Sequence, residues 1–229
     1  MKSCMKWTIG LVTALLVMSG TTASADEGFI ELRGGSVAQG DVDQALAPGS
    51  PAGGLGMAVG YELRAVPGLR LMASFDGQGF TARRFDGDVR ATWSASHLMP
   101  SVDWGVNLVG DWLRPLVRGG FGYAHQSLRL TADNVTYQAT DHGLVGRVAG
   151  GLEASVGRSS DGDGTLDRLS LGANLLIGYT WQSEAEFDEM ETTETIDDDD
   201  PWQRGTYDAG SMQVSGASWS LGVVMGYRF

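Results

Sequence analysis

The chain holds three histidines, His97, His125 and His142, and a single cysteine, Cys4. His125-Gln126-Ser127 places an imidazole two residues before a hydroxyl, and Asp141 and His142 follow downstream. An imidazole beside a serine can take its proton and make the oxygen a nucleophile. In an extended strand, residues two apart share a face, so this pair would point the same way. A second cluster, Asp161-Gly162-Asp163-Gly164-Thr165-Leu166-Asp167, sets carboxylates at alternate positions as a calcium loop does. The EF-hand pattern wants Gly sixth and Glu twelfth, where this chain has Leu166 and Gly172. Asp-Gly repeats are also ordinary turn chemistry. A third segment, 184–200, carries Glu184, Glu186, Asp188, Glu189, Glu191, Glu194, Asp197, Asp198, Asp199 and Asp200 with no base. It reads as a solvated, self-repelling external loop with weak divalent-cation binding at most.

These groups must be held by something, and composition narrows what. The chain has 229 residues, 34 Gly and 6 Pro, with net charge −12 at pH 7. That much Gly argues against a helical protein, and that little Pro against a disordered one. An acidic chain whose bases are not clustered is a poor nucleic-acid binder. Lys2 and Lys6 open the sequence, Trp7 to Met18 is mostly apolar, and Ala23-Ser24-Ala25 follows. This is the layout of a secretory signal peptide over residues 1–25, cut before Asp26, leaving 26–229 as one domain. Cleavage would remove Cys4, so disulfides, thiolate chemistry and cysteine metal sites are not expected. No motif points to a cofactor or a catalytic metal.

Past the signal the sequence runs in period two. Ala217, Trp219, Leu221, Val223, Met225, Tyr227 and Phe229 alternate with Ser218, Ser220, Gly222, Val224, Gly226 and Arg228. Segments 168–181 and 55–64 repeat the pattern strictly. Less perfect copies lie at 29–34, 69–78, 98–108, 114–123 and 144–156. Such alternation means strands with one apolar face, eight in all. The opposite face is mostly Gly, Ala and Ser with isolated charges, which suits a crowded concave interior. The large apolar residues have no helices to cover them. Together these features predict an inside-out, all-β, eight-stranded antiparallel transmembrane barrel. Glu62, Arg64, Arg118, Arg147, Glu153 and Arg168 then face the lumen, alongside Glu31, Arg33, Arg70, Asp76, Asp103 and Arg228. Mixed signs there predict paired layers rather than a single-sign filter. Connections near 35–53, 80–94, 125–142 and 182–212 read as long external loops, and those at 65–68, 109–112 and 157–167 as shorter periplasmic turns.

On these residues the chain resembles the small OmpA/OmpX-like outer-membrane β-barrels of Gram-negative bacteria. The carriers are the signal peptide, the strand Arg118-Gly119-Gly120-Phe121-Gly122-Tyr123 and the terminal Val223-Val224-Met225-Gly226-Tyr227-Arg228-Phe229. The resemblance implies outer-membrane lipid and lipopolysaccharide as surroundings. It also implies that Val223, Met225, Tyr227 and Phe229 form an assembly signal read by the barrel-insertion machinery. A non-enzymatic surface or envelope-integrity role without a wide pore is the expected function; a narrow solute channel is an alternative. The His125-x-Ser127 spacing also looks like the catalytic pair of the lipid A 3-O-deacylases, a second alternative. That family's following Asn is Leu128 here, and its supporting Glu has no counterpart beyond Asp141.

Overall fold

The computed structural model describes residues 25–37, 51–63, 65–84, 89–108, 112–132, 135–156, 169–187, 191–192 and 210–228. Eight long strands are present among them: β1 (Ala25–Val37), β2 (Ala52–Leu63), β3 (Leu69–Arg84), β4 (Val89–Gly105), β5 (Leu113–Ala132), β6 (Val135–Val156), β7 (Leu169–Gln182) and β11 (Gly216–Arg228). Between β7 and β11 lie three two-residue strands, β8 (Ala185–Glu186), β9 (Glu191–Thr192) and β10 (Ser211–Met212). No helix occurs among the described residues. Each long strand pairs with its sequence neighbours, and β1 pairs with β11, so the sheet closes into an antiparallel barrel. Closure leaves no edge among the eight strands and satisfies the backbone without water, which a bilayer demands.

The large apolar side chains point outward. Leu55 is 78% exposed, and Ile177 and Val148 are each 64% exposed. On β7 the outward row runs Leu169, Leu171, Ala173, Leu175, Ile177, Tyr179 and Trp181. At about 3.3 Å per residue and a tilt near 45° this row spans roughly 28 Å, against ~25 Å for an outer-membrane apolar band. Small residues permit the tight curvature on the inside. A Cβ on Gly178 would stand 2.0 Å from the Val148 carbonyl oxygen and 2.5 Å from Ala149 Cα, so only Gly fits there.

Three connections differ from the sequence expectation. Most of 80–94 and of 125–142 is strand: β3 continues to Arg84, β4 starts at Val89, β5 runs to Ala132 and β6 starts at Val135. The reason is that period two persists there with its polarity reversed. Above Phe75, Leu98, Tyr123 and Leu144, which align across β3 to β6, the outward row turns polar. Thr81 meets Thr92 at 3.4 Å, Thr131 meets Thr136 at 3.3 Å, and Arg129 donates to Gln138 at 3.2 Å. The inward row becomes apolar, with Phe80, Ala82, Ala91, Trp93, Leu128 and Leu130 buried. The 182–212 connection is not wholly a free loop either. β8 and β10 pair at its base and seat Ala185, Phe187, Met212 and Val214 in the same cluster. Other bounds shift slightly. β1 starts at Ala25, the last residue assigned to the signal peptide, and the fourth strand stops at Gly105 with only a Leu108–Leu113 bridge beyond.

Candidate functional site

Two places gather polar chemistry: the lumen and the outer rim. The lumen is stacked in tiers. At mid-height Arg118 donates to both carboxylate oxygens of Glu31 at 2.9 and 2.7 Å, and to both of Asp103 at 2.7 and 2.9 Å. Arg33 grips Asp76 at 2.9 and 2.7 Å, and Arg147 reaches the same carboxylate at 3.2 Å. Arg33 also stands 3.5 Å from Glu31, which joins the two groups into one network. Strand pairing explains part of this, because Asp103 and Arg118 are register partners on β4 and β5. The Arg118–Glu31 contact crosses the lumen between residues 87 apart in sequence.

Toward the short-turn end, Arg70 donates to Glu153 at 2.7 Å and to Glu62 at 3.3 Å, while Arg114 stands 3.7 Å from Glu153 and donates to the Gly68 carbonyl. Ser170 donates to Glu27 at 2.7 Å. Planar guanidinium forks suit such shared carboxylates better than ammonium groups, consistent with every base after residue 25 being Arg. Bidentate charge-assisted bonds offset the desolvation that would otherwise forbid charges so deep.

Above the ionic tier lies a neutral polar one. His97 is fully buried, and its Nε2 lies 3.4 Å from Gln78 Nε2. Gln78 also donates to Gln182, and Trp93 Nε1 donates to Gln126 at 3.3 Å. Trp93 then stacks on Phe80 with centroids 5.5 Å apart, beginning the apolar cap. A lumen cavity beside Arg33, Asp76, Gln78, Arg118 and Arg147 measures about 50 Å³, room for a water or two.

The rim site lies on the outer face just above the belt. His125 and His142 are register partners on β5 and β6, and Tyr123 stands two residues before His125 on the same face. The two Nδ1 atoms are 3.1 Å apart, and the Tyr123 hydroxyl also contacts His142 Nδ1. Asp141 accepts from the His142 backbone at 2.6 Å and from the Glu186 backbone at 2.9 Å, tying this edge to β8. Ser127 shares the face, one strand repeat of about 6.6 Å from His125. Nδ1 of His125 faces His142.

Of the residues singled out in the sequence, Glu62, Arg118, Arg147 and Glu153 lie in the lumen network. Val223 and Met225 lie on the outward face, and Tyr227 pairs across to Gly28. Arg64, Arg168, Phe229, the cluster 161–167 and Asp197, Asp198, Asp199 and Asp200 lie outside the described residues, as does the side chain of Arg228. Sequence reading missed Glu27, Arg114 and His97 as lumen groups. Arg114 was detectable, since it shares parity with Arg118 four residues on.

No family model and no curated protein matches the chain. Among solved structures, it is similar to Neisserial surface protein A, NspA, at 10% identity, covering 88% of this chain and 97% of that one, with a TM-score of 0.48. Ail, the attachment invasion locus protein of Yersinia pestis, aligns at 10% identity over 90% of this chain and 99% of that one, TM-score 0.48. The N-terminal β-barrel domain of Pseudomonas aeruginosa OprF aligns at 16% identity over 90% and 99%, TM-score 0.40. These are likenesses of fold. The closed eight-stranded barrel with an apolar exterior stands on its own pairing registers and exposure pattern.

Proposed function

We propose that the chain is an outer-membrane barrel with a non-enzymatic surface or envelope-integrity role and no wide pore. The observation that carries this reading is the filled lumen. Paired charges cross its middle, and a buried apolar cluster around Trp93, Phe80 and Leu128 closes its external end. Eight strands leave little interior beyond what side chains occupy, whereas an aqueous channel takes about 16–18. The apolar belt fits outer-membrane lipid, and the polar outward rows above it fit the lipopolysaccharide head-group zone. The alternating sequence Val223, Met225, Tyr227 and Phe229 is the segment we assign to recognition by the insertion machinery.

The test is electrical and chemical together. Purified folded monomer in planar bilayers should give no nanosiemens-scale steps, and lipid A mass spectra should be the same in cells with and without the chain. Large stable steps would overturn the closed-lumen reading. Loss of an acyl chain from lipid A would overturn the non-enzymatic one and return His125 and Ser127 to a catalytic role.

A further inference from the structure

We propose that His125, His142 and Tyr123 form a surface site for a late first-row transition-metal ion, Cu²⁺ or Zn²⁺, on the outer rim of the barrel. The inference rests on two imidazole nitrogens held side by side with a phenol oxygen against one of them. His125 and His142 are held opposite one another by the β5–β6 register, so neither side chain has to reach. Their ring centroids are 4.7 Å apart, yet their Nδ1 atoms are 3.1 Å apart. The rings stack with planes 30° apart and their nitrogen edges side by side, so a small side-chain rotation of each turns both lone pairs onto one ion. With metal–nitrogen distances of about 2.0–2.1 Å, that separation subtends an angle of roughly 95–100° at a shared ion. This lies between square-planar and tetrahedral values, so either ion fits without moving the strands.

The present hydrogen bonding is also poorly matched to the atoms. An imidazole nitrogen has one in-plane position, occupied by a proton or a lone pair. His142 Nδ1 is approached by both His125 Nδ1 and the Tyr123 hydroxyl. One position cannot serve two partners well. A cation held between the two imidazole nitrogens removes that competition, and the phenol oxygen beside His142 is the third donor within its reach. The donor set is of the kind that selects copper, zinc or nickel over magnesium or calcium. His142 is exposed and His125 half-buried, so the site opens to water above the belt. The Asp141 carboxylate holds the His142 backbone in place from the side, bracing one donor.

The experiment uses untagged, detergent-refolded full-length mature chain titrated with CuCl₂ or ZnCl₂ alone. Calorimetry should give one tight equivalent at neutral pH that excess CaCl₂ or MgCl₂ does not displace. The Cu²⁺ paramagnetic resonance spectrum should carry hyperfine structure from two nitrogens. His125→Gln or His142→Gln should weaken binding by about tenfold or more, since loss of an outer-sphere partner alone costs ~10–100-fold. Each variant is first checked for its folded gel mobility. Unchanged affinity in both folded variants would overturn the proposal. So would an oxygen-only copper spectrum of the unsubstituted protein, which would assign binding to the acidic 184–200 segment and needs no variant to fold.

Discussion

Replacing Arg118 by Met is the sharpest test of what holds the lumen. Arg118 is 2% exposed, and its partners Glu31 and Asp103 are 1% and 0% exposed. The substitution removes four charge-assisted hydrogen bonds at once. Glu31 keeps Arg33 at 3.5 Å, but the two Arg118 contacts to Asp103 are lost. Removing one side of a buried ion pair costs about 3–5 kcal/mol, mostly through the charge left behind. With a urea slope near 2 kcal/mol/M, the unfolding midpoint should fall by roughly 1.5–2.5 M. The assay is urea unfolding in detergent, followed by tryptophan fluorescence and by the mobility difference between unboiled and boiled samples. The double change Arg118→Met, Asp103→Asn should recover most of the loss, because the remaining charges balance: Glu31 keeps Arg33 and Asp76 keeps Arg147. A single variant within about 1 kcal/mol of the parent would refute the reasoning, since it would mean the carboxylates are already solvated.

Other parts of the fold give separate expectations. Trp93→Ala should cost about 3–5 kcal/mol in the same unfolding assay, because a fully buried ring stacked on Phe80 leaves a cavity; an unchanged midpoint would mean the cap does not contribute to the cooperative unit. Gly178→Val should prevent refolding in detergent, read by the absence of a shifted band, since even its Cβ would stand 2.0 Å from a carbonyl oxygen. Deleting Phe229 should lower outer-membrane levels in cells more than refolding yield in detergent, as the described pairing of β11 ends at Arg228 and is left intact; equal effects in both would count against a role in recognition.

The barrel was legible because its lipid-facing rows are nearly pure. In 168–181 and 217–229 every second residue is apolar and its neighbours are mostly small or polar, and a helix would scatter such a set around its circumference. The same rule hid the external parts of β3, β4, β5 and β6. A stripe traced by its apolar members ends at Phe75, Leu98, Tyr123 and Leu144, and the residues beyond those four resemble loop. The alternation was still there in the other phase. Leu128 and Leu130 alternate with Ser127, Arg129 and Thr131, and Ala91, Trp93 and Ala95 with Thr92, Ser94 and Ser96. The cross-lumen pairs were not legible at all. Which Arg meets which carboxylate depends on the barrel's stagger, which no local pattern encodes. The rim site was half visible: His125 and His142 stood out by type, but their direct opposition required the β5–β6 register, hidden while 125–142 read as a loop.

The phase reversal also says where the solvent changes. A strand keeps its parity through the whole wall, so a side chain's inside or outside position is fixed once the register is set. Polarity can therefore switch only if the surroundings of each face switch. Below the Tyr123 level the outside is apolar and the inside holds ion pairs; above it the outside carries Thr, Ser and Arg and the inside holds Trp93, Phe80 and Leu130. The lower wall is built for lipid outside and a confined polar interior, the upper wall for water outside and a dry core. That places the bilayer edge along Phe75, Leu98, Tyr123 and Leu144, four aligned positions on four successive strands. It also separates the forces at work. The upper part is stabilised by hydrophobic burial, as in a water-soluble barrel, while in lipid the lower part gains little from its apolar face and depends on backbone pairing and on the lumen network. The two regions meet at His97, Gln78, Gln126 and Gln182, neutral polar groups that bridge an ionic tier below and an apolar cap above.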